Sequence, residues 1–390
     1  MRLFFLGYAY EPGLTADAGG FRKLWELAWA LRARGHDVLV FFPRLPGRRP
    51  LRAVPARAYP SLDLPLLRPL TAHASLLAAA WAAGRRARPD VIYFRSGVNV
   101  LPLLLRRLLG ARTVLEVNAD VQEFLRVEGA GRLRRALARA AEALGARGSD
   151  LVVALTPGLK AMLVERHGVP AAKVRVVPSG TDPAHFAPAP AEAARRRVGL
   201  PADRRVVGFI GLFYRHQGVP TLLEALARLR ASVPDLAGLV VGDGAMRAAW
   251  EALARRLDVA DLARFTGQVP YAEAPAYLCA MDVAVAPFTA GRGETSPFKV
   301  LDALACGRPV VASDLPSVRA LADASGGAVV LVPPDDPAAL ADALGALLAD
   351  PARRAALGRR GREFVLAHHT WDRIAERLLR ELGAGPGQGA

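Results

Sequence analysis

The segment Gly291-Arg-Gly-Glu-Thr-Ser-Pro-Phe-Lys-Val-Leu-Asp-Ala-Leu-Ala-Cys-Gly-Arg-Pro-Val-Val-Ala-Ser-Asp314 predicts a loop, a helix and a short buried strand. Ser296 suits a helix N-cap, Pro297 suits the first helical position because its missing N–H has no partner there, and Gly307 suits a left-handed C-cap. We therefore expect the helix to run from Pro297 to about Cys306. The unpaired N–H groups and partial positive charge at its start favour a bound phosphate.

Three charged side chains on this segment suggest a binding site. Lys299 falls in the first helical turn and could hold a diphosphate; it stands out because the chain has 52 Lys+Arg but only four lysines. Glu294 and Asp302 could accept strong hydrogen bonds from a sugar and from ribose hydroxyls. Both carboxylates are then expected at a loop or helix edge rather than in the core. The alternative is three ordinary solvated charges, and spacing alone favours that alternative.

The same segment resembles the donor-domain motif of the family 4 glycosyltransferases of the GT-B fold, also called glycosyl transferases group 1. That motif is Glu-x7-Glu followed by Ala-x-Gly-x-Pro-Val-Val-Ala-Ser, and here Glu294-x7-Asp302 precedes the matching run Ala305 to Ser313. The resemblance implies an α/β protein with two doubly wound Rossmann-like parallel-sheet domains facing an interdomain cleft. It places Glu294 by the donor sugar and Asp302, one methylene shorter than the usual glutamate, on the ribose.

Short apolar runs that alternate with helical stretches predict parallel sheets in both halves. The first unit of this kind is the strand Met1 to Tyr8, a helix from Phe21 to Arg34 and the strand Asp37 to Phe42. Residues 178–186, Pro-Ser-Gly-Thr-Asp-Pro-x-x-Phe, resemble the family signature Pro-Asn-Gly-Val-Asp-x-x-x-Phe. The Ala/Pro-rich run 187–194 predicts a linker after it.

These features predict an acceptor-side domain over residues 1–187 and a nucleotide-sugar-binding domain over residues 188–370. A helix at about residues 371–383 is expected to return to the first domain, and residues 384–390 are expected to be a disordered tail. A length of 390 residues with 52% hydrophobic and 23% charged residues suits two globular domains.

Other candidate residues in the first domain follow from the resemblance. It places Gly19, Gly20 and Arg22 on the diphosphate and acceptor side of the site. Asn118 follows the predicted strand Thr113 to Val117, at the end where open α/β sheets bind ligands, and is expected to position the sugar. The alternative for Asn118 is an ordinary turn residue.

In the second domain, the loop after the strand Val206 to Gly211 lacks the Arg and Lys that the family places on the diphosphate, and has Leu212 and Gln217 instead. We therefore expect other cations to replace that pair. The predicted catalytic set is Glu294, Lys299 and Arg215. The predicted donor-binding set is Asp302, Ser296, Phe298, His216, Gly211, Gln268 and Val269.

The net charge of +16 and a pI near 10.9 call for an anionic partner. From Val38 to Leu62 there is no acid, and an apolar stretch, Leu62 to Trp81, follows. The arginines of the acid-free segment are Arg44, Arg48, Arg49, Arg52 and Arg57. An anionic membrane surface suits this pattern, and Arg enrichment from a biased genome is the alternative. Nucleic acid is not expected, because no zinc-finger, RNP-like or helix-turn-helix pattern is present.

The resemblance implies a retaining hexosyltransferase that moves a sugar from a UDP- or GDP-sugar to a glycan, lipid-linked or small-molecule acceptor, and we expect it to be metal-independent. No cofactor and no metal are expected, because the sequence has no D-x-D or H-E-x-x-H motif. A cytoplasmic location is expected, with peripheral association at the inner face of the plasma membrane as an option. The alternatives are a nucleotide-sugar epimerase or phosphorylase of the same fold, or a basic nucleic-acid- or membrane-binding protein without catalysis.

Overall fold

The computed structural model describes residues 1–8, 19–44, 52–62, 67–96, 100–127 and 129–383. The chain divides into two compact units. Unit 1 contains Met1–Gly180, Glu294–Ser296 and the C-terminal segment from Trp371, and unit 2 contains Thr181–Gly293 and Pro297–Thr370. The predicted tail at 384–390 and residues 9–18, which follow the predicted strand Met1 to Tyr8, lie outside the described residues.

Unit 1 is built on a parallel sheet in which seven described strands follow the order β3-β2-β1-β4-β5-β6-β7. The strands are β1 (Arg2–Leu6), β2 (Asp37–Pro43), β3 (Ala56–Tyr59), β4 (Val91–Arg95), β5 (Arg112–Val117), β6 (Leu151–Ala154) and β7 (Val174–Val176). The sequence predicts all of them except β3. That edge strand has three half-buried residues and no apolar run, so it lacks the signal of a buried strand.

The helices of unit 1 connect these strands. They are α1 (Gly19–Ala33), α2 (Leu67–Arg86), α3 (Pro102–Leu109), α4 (Val121–Val127), α5 (Arg132–Gly148) and α6 (Pro157–Glu165). A last helix of the chain, Trp371–Glu381, also belongs to unit 1 and packs on α1, where Arg34 pairs with Asp372 at 2.8 Å.

Unit 2 is a second parallel sheet, with six described strands in the order β10-β9-β8-β11-β12-β13. They are β8 (Arg205–Ile210), β9 (Leu236–Val241), β10 (Ala263–Phe265), β11 (Val283–Ala286), β12 (Val310–Ser313) and β13 (Val329–Val332). Neighbouring residues such as Val206 and Val207 enter different hydrophobic clusters, so both faces of the sheet are covered. Continuous apolar strands of this kind are typical of doubly wound folds, and the predicted fold class is confirmed in both units.

The helices of unit 2 are α7 (Ala191–Arg197), α8 (Val219–Leu229), α9 (Arg247–Arg256), α10 (Ala274–Ala280), α11 (Phe298–Ala305), α12 (Pro316–Ala324), α13 (Pro337–Ala349) and α14 (Pro351–His368); we call the last helix of the chain α15. The predicted linker at 187–194 is wrong in part, because α7 begins inside it. Its side chain Arg195 is buried and pairs with Asp282, which fixes this segment to unit 2.

The predicted helix of the opening motif is confirmed, with a different start. Pro297 is the N-cap and α11 begins at Phe298, so the prediction of Ser296 as N-cap is wrong. The Ser296 hydroxyl donates instead to the Ser179 hydroxyl over 3.0 Å, within unit 1. At the other end Gly307 has φ +68°, and the N–H of Arg308 donates to the carbonyl of Ala303 over 3.0 Å, which closes the helix as predicted.

Across the part of the chain that the structure describes, none of the helices combines the length and the apolar character that a membrane span requires.

Candidate functional site

Lys299 is the centre of a charged cluster in unit 2. Its half-buried side chain donates from Nζ to Oε1 of Gln217, the residue that stands where the family has a lysine. The same Nζ lies 3.7 Å from the ring centroid of Phe209. Burial, together with the positive charge of Arg292, places the pKa of Lys299 well below its usual 10.5.

Gly211 leaves the space that the lysine occupies. A Cβ atom at this position would come within 2.7 Å of Nζ of Lys299. The absence of a side chain at the end of β8 therefore allows the ammonium group to reach the loop that follows. Gly211 and Lys299, two of the predicted site residues, are therefore neighbours in unit 2.

His216 lies on the same loop and is uncharged at neutral pH. Burial, then the positive charges of Arg292 and Lys299, lowers its pKa to about 4. Its Nε2 is 2.9 Å from Nε2 of Gln217, and its ring stacks on Tyr214. His216 could therefore give a phosphate a hydrogen bond but no charge, so it does not replace a missing cation.

Arg292 is the cation that sequence reasoning missed. Its guanidinium lies 3.6 Å from the ring centroid of Phe288, and its charge acts on the pKa of both Lys299 and His216. The residue stands two positions before Glu294 and between two glycines, Gly291 and Gly293. In a chain so rich in arginine, that position alone was too weak a signal to single it out.

The other predicted donor-site residues lie on the loops around this cluster. Arg215 is exposed on the loop after β8, and Phe298 is the half-buried first residue of α11. Gln268 is exposed and Val269 half-buried in the turn after β10. That turn is held where the N–H of Gly242 donates to the carbonyl of Gly267 over 3.0 Å. Their roles in binding stay predictions.

Asp302 is buried, which the sequence did not predict. Only 6% of the residue is exposed, and Oδ1 accepts a hydrogen bond of 2.7 Å from the hydroxyl of Thr181, which is 1% exposed. The expectation of a carboxylate at a helix edge is therefore wrong for Asp302. The helical periodicity of a sequence shows which side chains share a face of the helix, but it does not show which distant segment of the chain packs on that face.

In unit 1, the segment Glu294–Ser296 is held against the end of β5. Thr295 forms an antiparallel bridge with Ala119, and the N–H of Asp120 donates to the carbonyl of Glu294 over 2.9 Å. The Thr295 hydroxyl also donates to the carbonyl of Asn118 over 3.1 Å. Two predicted site residues, Asn118 and Glu294, are thus neighbours at the carboxyl end of a parallel strand.

The carboxyl group of Glu294 lies against the first turn of α6. A Cβ atom on Gly158 would come within 2.6 Å of Cδ of Glu294, and Gly158 is the second residue of that helix. The partial positive charge of a helix N-terminus favours a carboxylate there. The half-buried side chain is therefore oriented by the backbone of unit 1.

A buried ionic network lies nearby on the same strand ends. Glu116 on β5 pairs with Lys23 at 2.7 Å and with Arg95 at 3.3 Å, and it accepts a hydrogen bond from the Tyr93 hydroxyl. Burial would raise the pKa of Glu116, but the charges of Lys23 and Arg95 outweigh it and lower this pKa. Burial lowers the pKa of Lys23 to about 8.

The sequence analysis predicted Arg22 as a site residue but did not predict the residues that form this ionic network. The predicted Arg22 is buried beside Lys23 in α1, a helix that begins with the predicted Gly19 and Gly20. Lys23, one of only four lysines, was the available signal. Two cations share one carboxylate here, so a net positive charge remains at this end of the sheet.

Among the described residues, no group of three or more His, Cys, Asp or Glu side chains is placed to hold a metal ion. Metal independence itself stays a prediction.

Two doubly wound parallel sheets, joined by a motif that supplies a carboxylate to one unit and a lysine to the other, define a glycosyltransferase of the GT-B type. The family model described as "Glycosyltransferase Family 4" matches residues 19–185, and the model described as "Glycosyl transferases group 1" matches residues 204–350. The chain belongs to glycosyltransferase family 4. This membership makes the protein an enzyme, and it disfavours the alternative of a binding protein without catalysis.

Three similar proteins illustrate the relationship. A D-inositol 3-phosphate glycosyltransferase of Kineococcus radiotolerans is 34% identical, with 90% of this chain and 87% of that protein covered. A GDP-mannose-dependent alpha-(1-6)-phosphatidylinositol monomannoside mannosyltransferase of Mycolicibacterium smegmatis is 37% identical, with 55% and 57% covered. The structure of sucrose-phosphate synthase from Thermosynechococcus elongatus matches with a TM-score of 0.82 and 25% identity, covering 98% of this chain and 99% of that one.

Proposed function

We propose that the enzyme transfers a hexose from a nucleoside diphosphate sugar, and that unit 2 binds the donor. The observation that supports this most strongly is the Lys299 cluster. A half-buried lysine with a lowered pKa lies beside a second cation, Arg292, so this part of unit 2 has two positive charges and a strong preference for an anion. A diphosphate would offset the repulsion between the two cations and raise the pKa of the lysine.

The same residues suggest how the departing diphosphate is stabilised. Negative charge develops on the leaving phosphate in the transition state, and fixed cations such as Lys299, Arg292 and Arg215 would stabilise it without reorganisation. In a transfer with retention the leaving phosphate takes the proton of the acceptor hydroxyl on the same face. No side chain then has to act as a base, and Glu294 would orient the sugar.

The cations would also take the place of a metal ion. A divalent metal on a diphosphate neutralises charge, and two or three basic side chains do the same through hydrogen bonds. We therefore infer metal-independent transfer.

The acceptor is proposed to carry a phosphate. Two observations support this: the net positive charge that Lys23 and Arg95 leave around Glu116, and the acceptors in the names of the relatives, an inositol phosphate and a phosphatidylinositol mannoside. A GDP- or UDP-sugar is the proposed donor, in line with the GDP-mannose dependence of one relative.

We further propose that unit 1 docks on an anionic membrane through α5. Three leucines, spaced by four and seven residues, share one face of this helix and are exposed by 75%, 59% and 56%: Leu133, Leu137 and Leu144. Exposed arginines flank this face: Arg132, Arg134, Arg139 and Arg147. The one acid of α5, Glu142, is buried and faces His167 at 3.3 Å. An apolar face bordered by arginines is typical of interfacial helices.

A ligand screen tests the donor proposal. Thermal unfolding is measured with UDP, GDP and ADP and with their sugars, because a ligand that binds only the folded protein raises its melting temperature. The sugar nucleotide that stabilises the protein is then offered with inositol phosphate or with phosphatidylinositol mannoside, and sugar transfer is measured. Stabilisation by none of these nucleotides, with the protein folded, would contradict the proposal.

A further inference from the structure

The two cysteines of the chain lie together in the core of unit 2, and the proposed transfer uses neither of them. Cys279 is the next-to-last residue of α10, and Cys306 is the C-cap of α11. Both are free thiols, each is 1% exposed, and both belong to one hydrophobic cluster. A hydrogen bond joins the two thiol groups. We call this pair the dithiol.

The dithiol lies beneath residues 187–189. Sγ of Cys279 donates to the carbonyl of Ala187 over 3.4 Å. A Cβ atom on Gly307, the residue after the second cysteine, would meet Cγ of Pro188 at 3.5 Å. Pro188 is exposed, and residues 187–189 form neither helix nor strand. A short irregular segment at the surface therefore covers both thiols, and a small neutral molecule has only this segment to pass.

The surroundings make Cys279 the more reactive of the two thiols. The hydrogen bond from the Cys306 thiol lowers the pKa of Cys279, and the charge of Arg308 lowers it further, against the effect of burial. Arg308 is held in place where its guanidinium donates to the carbonyl of Ala189 over 2.6 Å. The same hydrogen bond, together with burial, raises the pKa of Cys306. Because the thiolate is the nucleophilic form of cysteine, Cys279 is expected to react first.

We propose that Cys279 and Cys306 form an oxidation site, which hydrogen peroxide converts to an intramolecular disulfide. The Cys279 thiolate attacks one oxygen of the peroxide, the O–O bond breaks, and hydroxide leaves with the proton that Cys279 had lost, as water. The sulfur of Cys306 then attacks the sulfenic acid at Cys279 and gives up its own proton, and the S–O bond breaks to release a second water. The two thiols lose two electrons, which reduce one peroxide to two waters.

This site is separate from the Lys299 cluster and does not depend on the proposed function. Cys306 caps the C-terminal end of α11, whereas Lys299 lies in the first turn of that helix. The disulfide would join the end of α10 to the helix that carries Lys299.

Mass spectrometry of the folded protein tests the proposal, with hydrogen peroxide as the probe. Treated wild type should lose the mass of two hydrogen atoms, and digestion without a reductant should yield two peptides joined through Cys279 and Cys306. A reductant should restore the original mass. The rate should be proportional to the peroxide concentration, because the reaction takes place in the folded protein.

Variants of Cys306 identify the sulfur that reacts first. Cys306→Ser and Cys306→Ala should both stop at the sulfenic acid of Cys279, which the carbon nucleophile dimedone captures. The serine variant keeps a hydroxyl that can donate to Cys279, and the alanine variant does not. We therefore expect the alanine variant to react about tenfold more slowly than the serine variant. In Cys279→Ser, the remaining thiol should stay unmodified under the same conditions.

The wild-type measurement decides the proposal even where a variant fails to fold. No disulfide in folded wild type, while a dithiol peptide in the same solution is oxidised, would overturn it. A rate that is independent of peroxide and equal to the rate of unfolding would also overturn it, since the thiols would then react only in the unfolded chain. Equal rates in folded Cys306→Ser and Cys306→Ala would overturn the activation of Cys279 by its neighbour.

Discussion

The hydroxyl of Thr295 donates to the carbonyl of Asn118 over 3.1 Å, although 177 positions separate the two residues in the chain. With the hydrogen bond from Asp120 to the carbonyl of Glu294, this contact fixes the start of the motif to the end of β5. Glu294 is therefore positioned by unit 1, whereas Lys299, five residues later, is positioned by unit 2. A short motif supplies one charged residue to each unit.

Replacing Glu294 by glutamine should lower turnover much more than stability. The change keeps the shape of the side chain and removes a charge-assisted contact, which costs about 1.5–3 kcal/mol where that contact exists. Steady-state transfer and thermal unfolding of Glu294→Gln provide the measurement. Glu165→Gln, an exposed glutamate of unit 1, is the matched control. Full transfer activity in Glu294→Gln would show that the carboxylate has no role in transfer.

Replacing Gly158 by alanine should impair transfer without unfolding unit 1. The new Cβ would come within 2.6 Å of Cδ of Glu294, and a flexible side chain can move away at little cost in stability. The carboxylate is then displaced from the start of α6. Gly131→Ala, where a Cβ meets nothing within 4 Å, is the control. Equal kcat in both variants would contradict the orientation that we assign to Glu294.

Donor binding should take up protons, because the pKa of Lys299 lies well below 10.5 without ligand. A diphosphate favours the charged amine and raises this pKa, so affinity is highest below the ligand-free pKa and falls as pH rises through the window up to the ligand-bound pKa. The contribution of Lys299 to the free energy of unfolding changes with pH in the opposite direction. Unfolded lysine binds more protons, so stability rises with pH between the folded pKa and 10.5.

Calorimetry in buffers of different ionisation enthalpy measures this proton uptake. The sugar nucleotide is the appropriate ligand, because its esterified diphosphate does not titrate near neutral pH. Lys299→Met should bind more weakly and take up no protons, whereas the control Lys173→Met, at a lysine of unit 1, should behave as wild type. Proton uptake that persists in Lys299→Met would assign the titration to another group.

Much of the fold was predictable because buried parallel strands produce continuous apolar runs. The strands β9, β11 and β12 of unit 2 follow this rule. The apolar run from Val329 to Val332 likewise predicts the last strand, with the bounds of β13. The edge strand Ala56–Tyr59 lacks such a run and was missed. Helix α5 was missed as well, because its exposed leucines and buried Ala138 and Glu142 invert the usual amphipathic pattern.

The candidate site was only partly predictable, because the missing information was tertiary. The resemblance to the family motif identified Glu294 and Asp302, and the scarcity of lysine in the chain singled out Lys299. It could not show that Thr181 covers Asp302, or that burial leaves His216 uncharged. Local spacing also gave Ser296 the role of N-cap, but its hydroxyl bonds to Ser179.

Activity should survive removal of metal ions. The proposed charge compensation comes from Lys299 and Arg292, so a chelator has nothing to remove from the donor site. Transfer is measured after dialysis against EDTA and again after addition of magnesium or manganese. Complete loss that either metal restores would contradict metal-independent transfer.

Membrane binding should depend on α5 and on anionic lipid. Basic residues near an anionic surface contribute about 1 kcal/mol each, and buried leucine side chains add to this. Of the arginines in the acid-free segment, Arg48 and Arg49 lie outside the described residues. Arg52 is a poor test because it pairs with buried Glu26 at 2.9 Å, so its loss would disturb the fold. Substitutions of the exposed leucines of α5 are a better test of membrane binding, because they disturb no buried ion pair.

Co-sedimentation with vesicles of neutral or anionic lipid separates the two contributions. Wild type should bind anionic vesicles at low salt and release them at high salt, because the screening length falls from about 10 Å at 0.1 M to about 3 Å at 1 M. The variant Leu133→Ser/Leu137→Ser should lose most binding at low salt, and Arg134→Gln/Arg139→Gln should reduce it and weaken its salt dependence. The control Leu366→Ser, at a leucine of unit 2 that is 43% exposed, should bind as wild type.

Equal sedimentation with neutral and anionic vesicles, or none with either, would leave the arginines as compositional bias. Loss of binding only in the arginine variant would mean that α5 attracts the surface without inserting its leucines.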